Sequence, residues 1–402
     1  MSSIDACLPL FSNLEEVLVT LRVAFISRSH QGQGSSAMPS ETRNLRPQST
    51  IAMCKSSLHP FLAALPKCEH HMHLEGSLSP DLLFTLAERN SVALPSSDPA
   101  FTSCTTLLDR YTRFSSLDDF LHYYFIGMSC LIHESDFEQL AFEYFVKAKG
   151  DGVIHAEVFF DPEAHIVRGL DYKTVVNGIT KACRRAEQEL EISTKLILCL
   201  LRHLPVSESE KMYTQAEADL QSGLLAGLGL SSTEKGNPPE QWKEIYASAK
   251  AKGIQRTAHA GEEGPVDYIR SAIRHLDVER IDHGIRLADD EDLMRQVAER
   301  ELLITMCPLS NVRLRCAKEI KELPIRTFLD AGVKFSINSD DPAYFGGYIL
   351  DNYCAVQEAF NLTEKEWKGI AEATIIGSWC TESRKQEMLI KLDEALLTFD
   401  VN

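Results

Sequence analysis

Two histidines separated by a single residue, His71 and His73, are the first residues whose types and spacing indicate chemistry. A proline, Pro66, precedes them, and an acid and a glycine, Glu75 and Gly76, follow. Residues two apart on a β-strand project to the same side of it. Two imidazoles on one side can hold a divalent metal ion, and neutral nitrogen ligands suit zinc. The alternative is that an isolated His-x-His arises by chance or lies on a solvated strand edge.

Further polar stretches stand downstream, at positions where short apolar strands would end. They are His259-Ala260-Gly261-Glu262, Asp282-His283-Gly284, the CPLSN of 307–311 and the NSDDP of 338–342. His259 is the best third ligand, because Glu262 follows it in a glycine-containing turn and could act on metal-bound water. His283 is the competing ligand. An apolar strand has no structural reason to carry such residues, so their repetition favours a site.

The pair Asp340-Asp341 offers a carboxylate ligand. Adjacent residues on a strand point to opposite sides, so only one of the two side chains is expected to reach the metal. The alternative is that Asp-Asp-Pro forms a helix N-cap in a loop.

Other constellations do not complete a known site. His155 and Glu157 match half of the zinc signature of cytidine-type deaminases, but no Pro-Cys-x-x-Cys accompanies them, and we interpret them as alternating strand positions. His133-Glu134 lacks the second histidine of a helical zinc-protease motif. The sequence has no phosphate-binding glycine loop and no Gly-x-Ser-x-Gly motif.

The composition is that of a globular protein with an acidic surface. A formal net charge of -17 over 402 residues argues against nucleic acid as a partner, since phosphate binding needs a positive surface. It is compatible with a small neutral ligand. Eleven cysteines without a Cys-x-x-Cys pair favour reduced thiols inside a cell, so we expect a cytoplasmic and possibly nuclear location. No apolar run is long enough to span a bilayer, and nothing indicates a homo-oligomer, although one is possible.

The first 52 residues differ from the rest of the chain. Between residues 17 and 52 the only acid is Glu41, against four arginines, which resembles a weak transit segment. Acids near the start, among them Glu15 and Glu16, do not fit that interpretation. We expect residues 1–52 to be a disordered or extraneous extension, and residues 53–402 to form one catalytic domain starting at Met53.

Strand-length apolar runs alternate with helix-length segments from residue 153 onward. Beside the histidine strand, the runs cover 153–160, 195–203, 224–230, 256–261, 280–284, 302–308 and 334–342. The segments between them include 172–190, 239–253, 265–276, 289–300 and 316–332, and a helix over 79–90 with Ser79 as its N-cap precedes them. Eight strand–helix units predict an α/β fold, the (β/α)8 TIM barrel, in which the polar strand ends converge at one mouth.

A helical insertion is predicted over 100–149, covering one end of the barrel. Its apolar and aromatic residues, such as Phe120, Tyr124 and Leu131, recur at helical spacing. We interpret this stripe as core packing and not as part of a binding site.

The motifs HMHLEGSL, TAHAGEE, RIDHG, CPLSNVRL and SINSDDPAYFGGY together resemble the adenosine and adenine deaminase family of zinc aminohydrolases. Five motifs in order cover the chain from about Lys67 to Tyr348. Within the family the sequence is most similar to the adenine-specific members, through DPAYFGGY, the loop over 229–239 and Glu75 in HLEG, where adenosine-specific members have an aspartate.

The resemblance implies a role for each candidate residue. The metal ligands would be His71, His73, His259 and Asp340, binding one zinc ion per chain. Glu262 would give a proton to N1 of the purine, and His283 would orient and polarise the attacking water. Asp341 would hydrogen-bond N7. Such a site would hydrolyse adenine to hypoxanthine and ammonia in purine salvage.

The resemblance also implies that the substrate is a free purine base. Glu75 would bind it at the pocket wall, because a glutamate reaches further than an aspartate into the space for ribose and can hold the ring N–H of the base. The alternatives are a deaminase of adenosine or N6-substituted adenine and, more remotely, an inactive binding relative. Two positions depart from the family pattern: His70 replaces a usual apolar residue, and Ser231 replaces an acid.

Overall fold

Eight parallel strands form the centre of the molecule, and each hydrogen-bonds to the next one along the chain. The structure is a computed structural model that describes residues 54–399. The predicted extension over 1–52 and the start at Met53 lie outside these residues. The strands are β1 (Lys67–Glu69), β2 (Val153–Phe160), β3 (Ser193–Leu201), β4 (Gly227–Ser231), β5 (Gln255–Ala260), β6 (Arg280–His283), β7 (Leu303–Met306) and β8 (Phe335–Ile337).

The sheet closes on itself between the segments that follow β1 and β8. Met72 and Asp340 form a parallel bridge, in which the Asp340 N–H donates to the His71 carbonyl (3.0 Å) and the His73 N–H donates to the Asp340 carbonyl (2.9 Å). His73 also bridges to Phe159 of β2. The predicted (β/α)8 barrel is confirmed. This closure places the two histidines and Asp340 side by side.

Helices connect the strands and surround the barrel. They are α1 (His59–Ala64), α2 (Pro80–Arg89), α3 (Cys104–Tyr111), α4 (Leu117–Met128), α5 (Glu134–Gly150), α6 (Pro162–Val167), α7 (Tyr172–Glu189), α8 (Val206–Gln221), α9 (Lys243–Ala251), α10 (Val266–Ser271), α11 (Glu291–Glu299), α12 (Pro308–Arg313), α13 (Ile325–Ala331), α14 (Pro342–Phe345), α15 (Ile349–Phe360), α16 (Glu364–Ile376) and α17 (Glu382–Leu397). None of these helices is long and apolar enough to cross a membrane.

Local sequence sets several helix boundaries. Ser79 caps α2 by accepting from the Leu82 N–H (3.3 Å), and Pro80 is the first helical residue, as predicted. The segment predicted as one helix over 316–332 is instead a short 3-10 turn (Ile320–Glu322) followed by α13. Pro324 separates the two, because proline lacks the N–H needed to continue a helix.

Three helices, α3, α4 and α5, occupy the region predicted as a helical insertion. Helix α4 begins after Ser116, whose side chain accepts from the Asp119 N–H (3.2 Å). Most of α4 is buried, including Phe120 and Tyr124. Both rings contact Tyr344 of α14, which follows β8, at centroid distances of 5.3 and 5.9 Å. Helix α4 therefore lies over the carboxyl end of the barrel.

Candidate active site

Four candidate metal ligands converge at the carboxyl ends of β1, β5 and β8. We call His71, His73, His259 and Asp340 the metal cluster; one nitrogen or oxygen from each lies within 4.8 Å of the others. His71 Nε2 is 3.3 Å from Asp340 Oδ1, and His73 Nε2 is 3.7 Å from the same oxygen. All four side chains are buried. Parallel strands in a barrel bring their carboxyl ends together, which is why residues 269 positions apart in sequence can share a site.

The hydrogen bonds of His71 fix which ring nitrogen is free. The Thr305 hydroxyl donates its proton to Asp282 Oδ1 (3.0 Å), so its oxygen accepts from His71 Nδ1–H (2.9 Å). When the ring carries one proton, His71 Nε2 is the bare nitrogen, and this buried atom has no hydrogen-bond partner among residues 54–399. A neutral imidazole with a lone pair aimed at an acidic oxygen requires a cation or a donor between them.

His73 and His259 point their Nε2 atoms at each other across 3.2 Å. On the other side of its ring, His259 Nδ1 lies 3.4 Å from Asp282 Oδ2. Burial alone would raise the pKa of Asp282, but its contacts with His259 and His71 outweigh burial and lower that pKa below its usual range. An ionised Asp282 orients the His259 ring, in the way that carboxylates beside metal-bound histidines do.

Two residues of the site have strained backbones. His283 and Asp340 have φ angles of 62° and 61°, in the left-handed region that side chains other than glycine rarely adopt. Such strain persists only where the surrounding structure enforces it, and it is concentrated at functional sites. It also explains why β8 ends at Ile337 and not at 342 as predicted: the chain leaves the strand so that Asp340 can reach the metal cluster.

Glu262 lies beside the metal cluster with one carboxylate oxygen, Oε1, unpartnered and buried. Its Oε2 is 3.5 Å from His283 Nε2. Burial, together with the nearby charge of Asp340, raises the pKa of Glu262 well above its usual value, which favours the protonated form of this carboxyl group. Glu234 supports the turn by accepting the backbone N–H of Glu262 (3.2 Å). The protonated form of Glu262 is the one that a proton donor needs.

His283 faces both acids of the site. Asn311 Nδ2 donates to His283 Nδ1 (3.3 Å), which puts the ring proton on Nε2. That Nε2 lies 3.8 Å from Asp340 Oδ2, close to the metal cluster. Burial is the main cause that lowers the pKa of His283 well below its usual value, so the ring is neutral. A neutral ring with its N–H at this position can donate to an oxygen bound next to the cluster.

Asp341 lies against Gly76, so closely that a Cβ on the glycine would be 2.0 Å from Asp341 Oδ1. This approach is the reason a glycine is needed in the HLEG segment. Asp341 Oδ1 has no partner, and burial together with the Asp340 charge raises the pKa of Asp341 well above its usual value. The raised pKa favours the protonated form of Asp341, which can donate to a nitrogen lone pair.

One cavity receives all of these groups. The polar lining comes from His73, Asp161, Ser231, Ser232, His259, Glu262, His283, Asp340 and Asp341, and the apolar lining from Leu117, Phe120, Leu121, Tyr124, Phe125, Leu201 and Leu314. Five of the seven apolar residues belong to α4. The aromatic stripe of this helix, expected to be core only, therefore also forms a wall of the site. An apolar wall around a few convergent polar groups is typical of a small-molecule site.

Glu75 does not line this cavity. Its Oε1 accepts from the Asp161 N–H (3.1 Å) and lies 3.0 Å from His165 Nε2. Burial raises the pKa of Glu75 to about 7. The carboxylate that reaches the cavity here is Asp161, whose pKa burial and the neighbouring Glu75 raise well above its usual value. Glu75 supports the cavity wall through Asp161 and does not itself line the cavity, and the substrate contact predicted for Glu75 stays a prediction.

Sequence reasoning assigned no role to Asp161, Asp282, Thr305 or Asn311. Asp282 and Asn311 stand inside the polar motifs at 282–284 and 307–311, so their place in a motif was the available signal. Thr305 is an ordinary residue of a buried strand, and only the barrel closure reveals its contact with His71.

The residues present fit a divalent metal ion. Three imidazole nitrogens and one carboxylate oxygen converge, and His71 Nε2 is buried without a partner. Asp282 and Thr305 hold two of the rings from behind. Nitrogen-rich sites of this kind suit zinc among the common ions.

The sequence profile of the adenosine deaminase family matches residues 66–395. The chain belongs to the adenosine deaminase family. The matched segment contains every member of the metal cluster, Glu262 and Asp341, and it leaves out the N-terminal extension.

Two relatives are similar over nearly their whole length. An adenine deaminase of Aspergillus fumigatus is 58% identical over 346 residues, covering 85% of this chain and 98% of the relative. The crystal structure of an adenine deaminase from Arthrobacter aurescens superposes with a TM-score of 0.78 at 38% identity, covering 82% of this chain and 98% of that one.

A third similar protein was solved with a metal ion. It is an amidohydrolase from Burkhoderia ambifaria with bound zinc, 26% identical to this chain, with a TM-score of 0.77 and coverage of 87% of this chain and 96% of that one. Family membership, this neighbour and the donor set agree that the protein uses a metal cofactor.

Proposed function

We propose that this protein is a zinc-dependent adenine deaminase, which hydrolyses adenine to hypoxanthine and ammonia. The observation that carries the proposal is the placement of Glu262, whose Oε1 is buried without a partner among residues 54–399, in one cavity with the metal cluster. Hydrolysis of an aromatic amidine needs an activated water at the carbon and a proton at the adjacent ring nitrogen. The site has groups for both.

Zinc is the proposed ion, held by His71, His73, His259 and Asp340. The donor set and the zinc-containing neighbour support this choice. When bound, zinc supplies a Lewis acid that lowers the pKa of a water molecule to about 7.

The other polar groups handle protons and orient the base. Glu262 donates its proton to N1, which neutralises the electron density that the attack on C6 pushes into the ring. His283, neutral and with its proton on Nε2, donates a hydrogen bond to the attacking oxygen. Asp341 donates to the N7 lone pair, since its raised pKa keeps a proton on the carboxyl group. Each residue acts through an atom that has no protein partner or faces the cavity.

Adenine is favoured as the substrate over its nucleoside for two reasons. The relatives that match at 47 to 58% identity are named adenine deaminases. In addition, five apolar side chains of α4 line the cavity, and an apolar wall suits the planar ring of a base. A free purine base is therefore the proposed partner, and purine salvage in the cytoplasm, possibly also in the nucleus, is the proposed setting.

A substrate panel tests the proposal. The purified protein, loaded with zinc, is offered adenine, adenosine, AMP and N6-methyladenine, and loss of the substrate absorbance band is followed together with release of ammonia. We expect kcat/KM to be highest for adenine. Equal or higher kcat/KM for adenosine would contradict the substrate assignment, and no turnover of any of the four would contradict the enzyme assignment.

A further inference from the structure

One carboxylate oxygen in the cavity has no partner and no part in the chemistry proposed above. Asp161 follows β2, and its Oδ2 accepts from the Tyr124 hydroxyl (2.9 Å). Its Oδ1 is buried at the cavity wall without a close hydrogen-bond partner among residues 54–399, and the Ser231 side chain lies next to the Asp161 carboxyl group. His73 Nδ1 lies 4.0 Å from this oxygen, which is beyond hydrogen-bond distance. In the ionised form of Asp161, Oδ2 accepts from Tyr124 and Oδ1 needs a second donor; the place of Oδ1 in a cavity indicates that a ligand supplies this donor.

A chain of buried side chains holds Asp161 in place from behind. Arg168 Nη2 donates to His165 Nδ1 (2.8 Å), which puts the histidine proton on Nε2. His165 Nε2–H then donates to Glu75 Oε1 (3.0 Å), and the same oxygen accepts the Asp161 N–H (3.1 Å). Since each link is buried, the position of Asp161 Oδ1 is fixed before any ligand binds.

The order of the polar groups around the barrel matches the order of the nitrogens around a purine. Asp341 follows β8, Asp161 follows β2, Ser231 ends β4 and Glu262 follows β5. The nitrogens of a purine run N7, N9, N3 and N1 around its perimeter. With Asp341 at N7 and Glu262 at N1, the strands between them bring Asp161 to the N9 position and Ser231 to the N3 position.

We propose that Asp161 Oδ1 accepts a hydrogen bond from the N9–H of the free base and so selects a base against its nucleoside. This inference rests on the proposed function, because it uses the orientation that Glu262 and Asp341 give to the purine. N9 is the atom that carries ribose in a nucleoside. A nucleoside therefore lacks the donor and leaves Asp161 Oδ1 buried and unpaired.

Because a nucleoside lacks the N9–H donor, the protein should select strongly for the free base. A site that hydrogen-bonds a substrate N–H rejects the analogue without it by about 10⁴–10⁵-fold, because its own polar group stays unpaired. Glu75 contributes indirectly, as a positioning residue. An aspartate at residue 75 would be one methylene too short to keep both the Asp161 and the His165 contacts.

The test compares adenine with 9-methyladenine, which has a methyl group in place of the N9 proton. Wild-type protein is expected to prefer adenine by at least about 10³-fold in kcat/KM. Asp161→Ala should lower kcat/KM for adenine by about 100-fold or more and change that for 9-methyladenine by less than about fivefold, so that the preference collapses. Asp161→Asn, which preserves the shape of the side chain, should reduce the preference by at least about tenfold.

Two controls separate recognition from structural effects. Glu163→Gln alters another buried carboxyl group, in α6 two residues after Asp161, that does not line the cavity, and it should leave the preference unchanged. Zinc content per chain should stay the same in the Asp161 variants. Glu75→Asp should reduce the preference less than Asp161→Ala does.

Each remaining outcome has one meaning. Equal losses on both substrates, or loss of zinc, would show that Asp161 only orients His73 and would overturn the inference. An unchanged preference in both Asp161 variants would overturn it as well. Turnover of neither adenine nor adenosine by the wild-type protein would instead reject the proposed function.

Discussion

Two neighbouring histidines, His70 and His71, enter two buried polar clusters with opposite properties. His71 belongs to the metal cluster at the carboxyl ends of the strands. His70 points to a second group near the strand starts, which we call the inner cluster: His70, His155, Glu157, Arg280, Ser378 and Trp379. Both clusters are rich in histidines and carboxylates, and both are buried. Residue types therefore do not distinguish a reactive site from a structural one.

In the inner cluster the chain itself supplies the donors. Arg280 Nη1 donates to Glu157 Oε2 (2.6 Å), and His155 Nε2 lies 3.0 Å from Glu157 Oε1, which also accepts the Trp379 N–H. Burial alone would raise the pKa of Glu157, but the Arg280 charge and the neighbouring histidines outweigh burial and lower it. His70 Nε2 is paired with Ser378 Oγ at 2.8 Å.

Around the metal cluster, several buried polar atoms lack partners among residues 54–399. His71 Nε2 is unpartnered, and Asp161 Oδ1, Glu262 Oε1 and Asp341 Oδ1 around it are unpartnered too. No arginine or lysine lines the cavity among the described residues. The comparison shows that the two clusters differ in how their polar atoms are paired: an arginine pairs with the carboxylate of the inner cluster, whereas no arginine or lysine among the described residues lines the cavity at the metal cluster.

The largest expected effect on zinc binding and activity comes from replacing the neighbouring residues His70 and His71 one at a time. His71→Ala, like Asp340→Ala, should abolish both zinc binding and deamination, since each removes a ligand. His70→Ala should keep zinc and activity and lower the free energy of unfolding by about 1–3 kcal/mol, because Ser378 Oγ loses its hydrogen bond to His70 and keeps only the one that it donates to the Thr374 carbonyl. Elemental analysis, kcat and denaturant unfolding are measured on all three variants. Loss of zinc from the His70→Ala protein would show that the inner cluster also supports metal binding.

Replacing Glu262, the proposed proton donor, should lower the rate of deamination without affecting metal binding. Glu262→Gln preserves the size of the side chain but cannot give a proton, so kcat should fall about 10²–10⁴-fold while zinc content stays at one ion per chain. The zinc content of the purified variant shows whether Glu262 is a proton donor or a metal ligand. A zinc-free Glu262→Gln protein would show that Glu262 acts as a ligand.

Breaking the inner cluster should affect stability and not catalysis. Arg280→Met leaves Glu157 as an unpaired buried charge and should lower the free energy of unfolding by about 3–5 kcal/mol. The double variant Glu157→Gln with Arg280→Met should regain part of that loss, because no buried charge remains. Denaturant unfolding measures both variants. A stable Arg280→Met protein with lost activity would place the inner cluster in the reaction.

A smaller effect is expected for the residue that orients His259. Asp282→Asn should weaken zinc affinity about 10–100-fold without changing the ligand set. Competition with a chelator of known affinity gives the zinc dissociation constant. Wild-type affinity in this variant would remove Asp282 from the metal site.

The smallest effect is expected for deleting residues 1–52. A chain that starts at Met53 should fold and deaminate adenine as well as the full chain, because α1 already begins the fold: Phe61 and Leu62 are buried, and the Phe61 ring is 5.3 Å from Phe399. Thermal unfolding and kcat/KM of the two proteins provide the test. A large loss of thermal stability would show that the extension is structural.

The sequence by itself determined the barrel, the order of its strands and the residues of the metal cluster. Period-two alternation, helix caps and polar strand ends are local features, and each can be recognised within a few residues. The position of His71 relative to His73 followed from that alternation, and Glu262 and Asp341 followed from their motifs.

Only the tertiary structure decided which polar groups are left without partners. The pairing of His70 with Ser378, of Thr305 with His71 and of Glu75 with Asp161 joins residues that are 308, 234 and 86 positions apart. Such contacts cannot be predicted from local sequence, because the closure of the barrel creates them. For the same reason Glu75 was placed at the cavity wall from sequence, whereas in the folded protein Asp161 occupies that position.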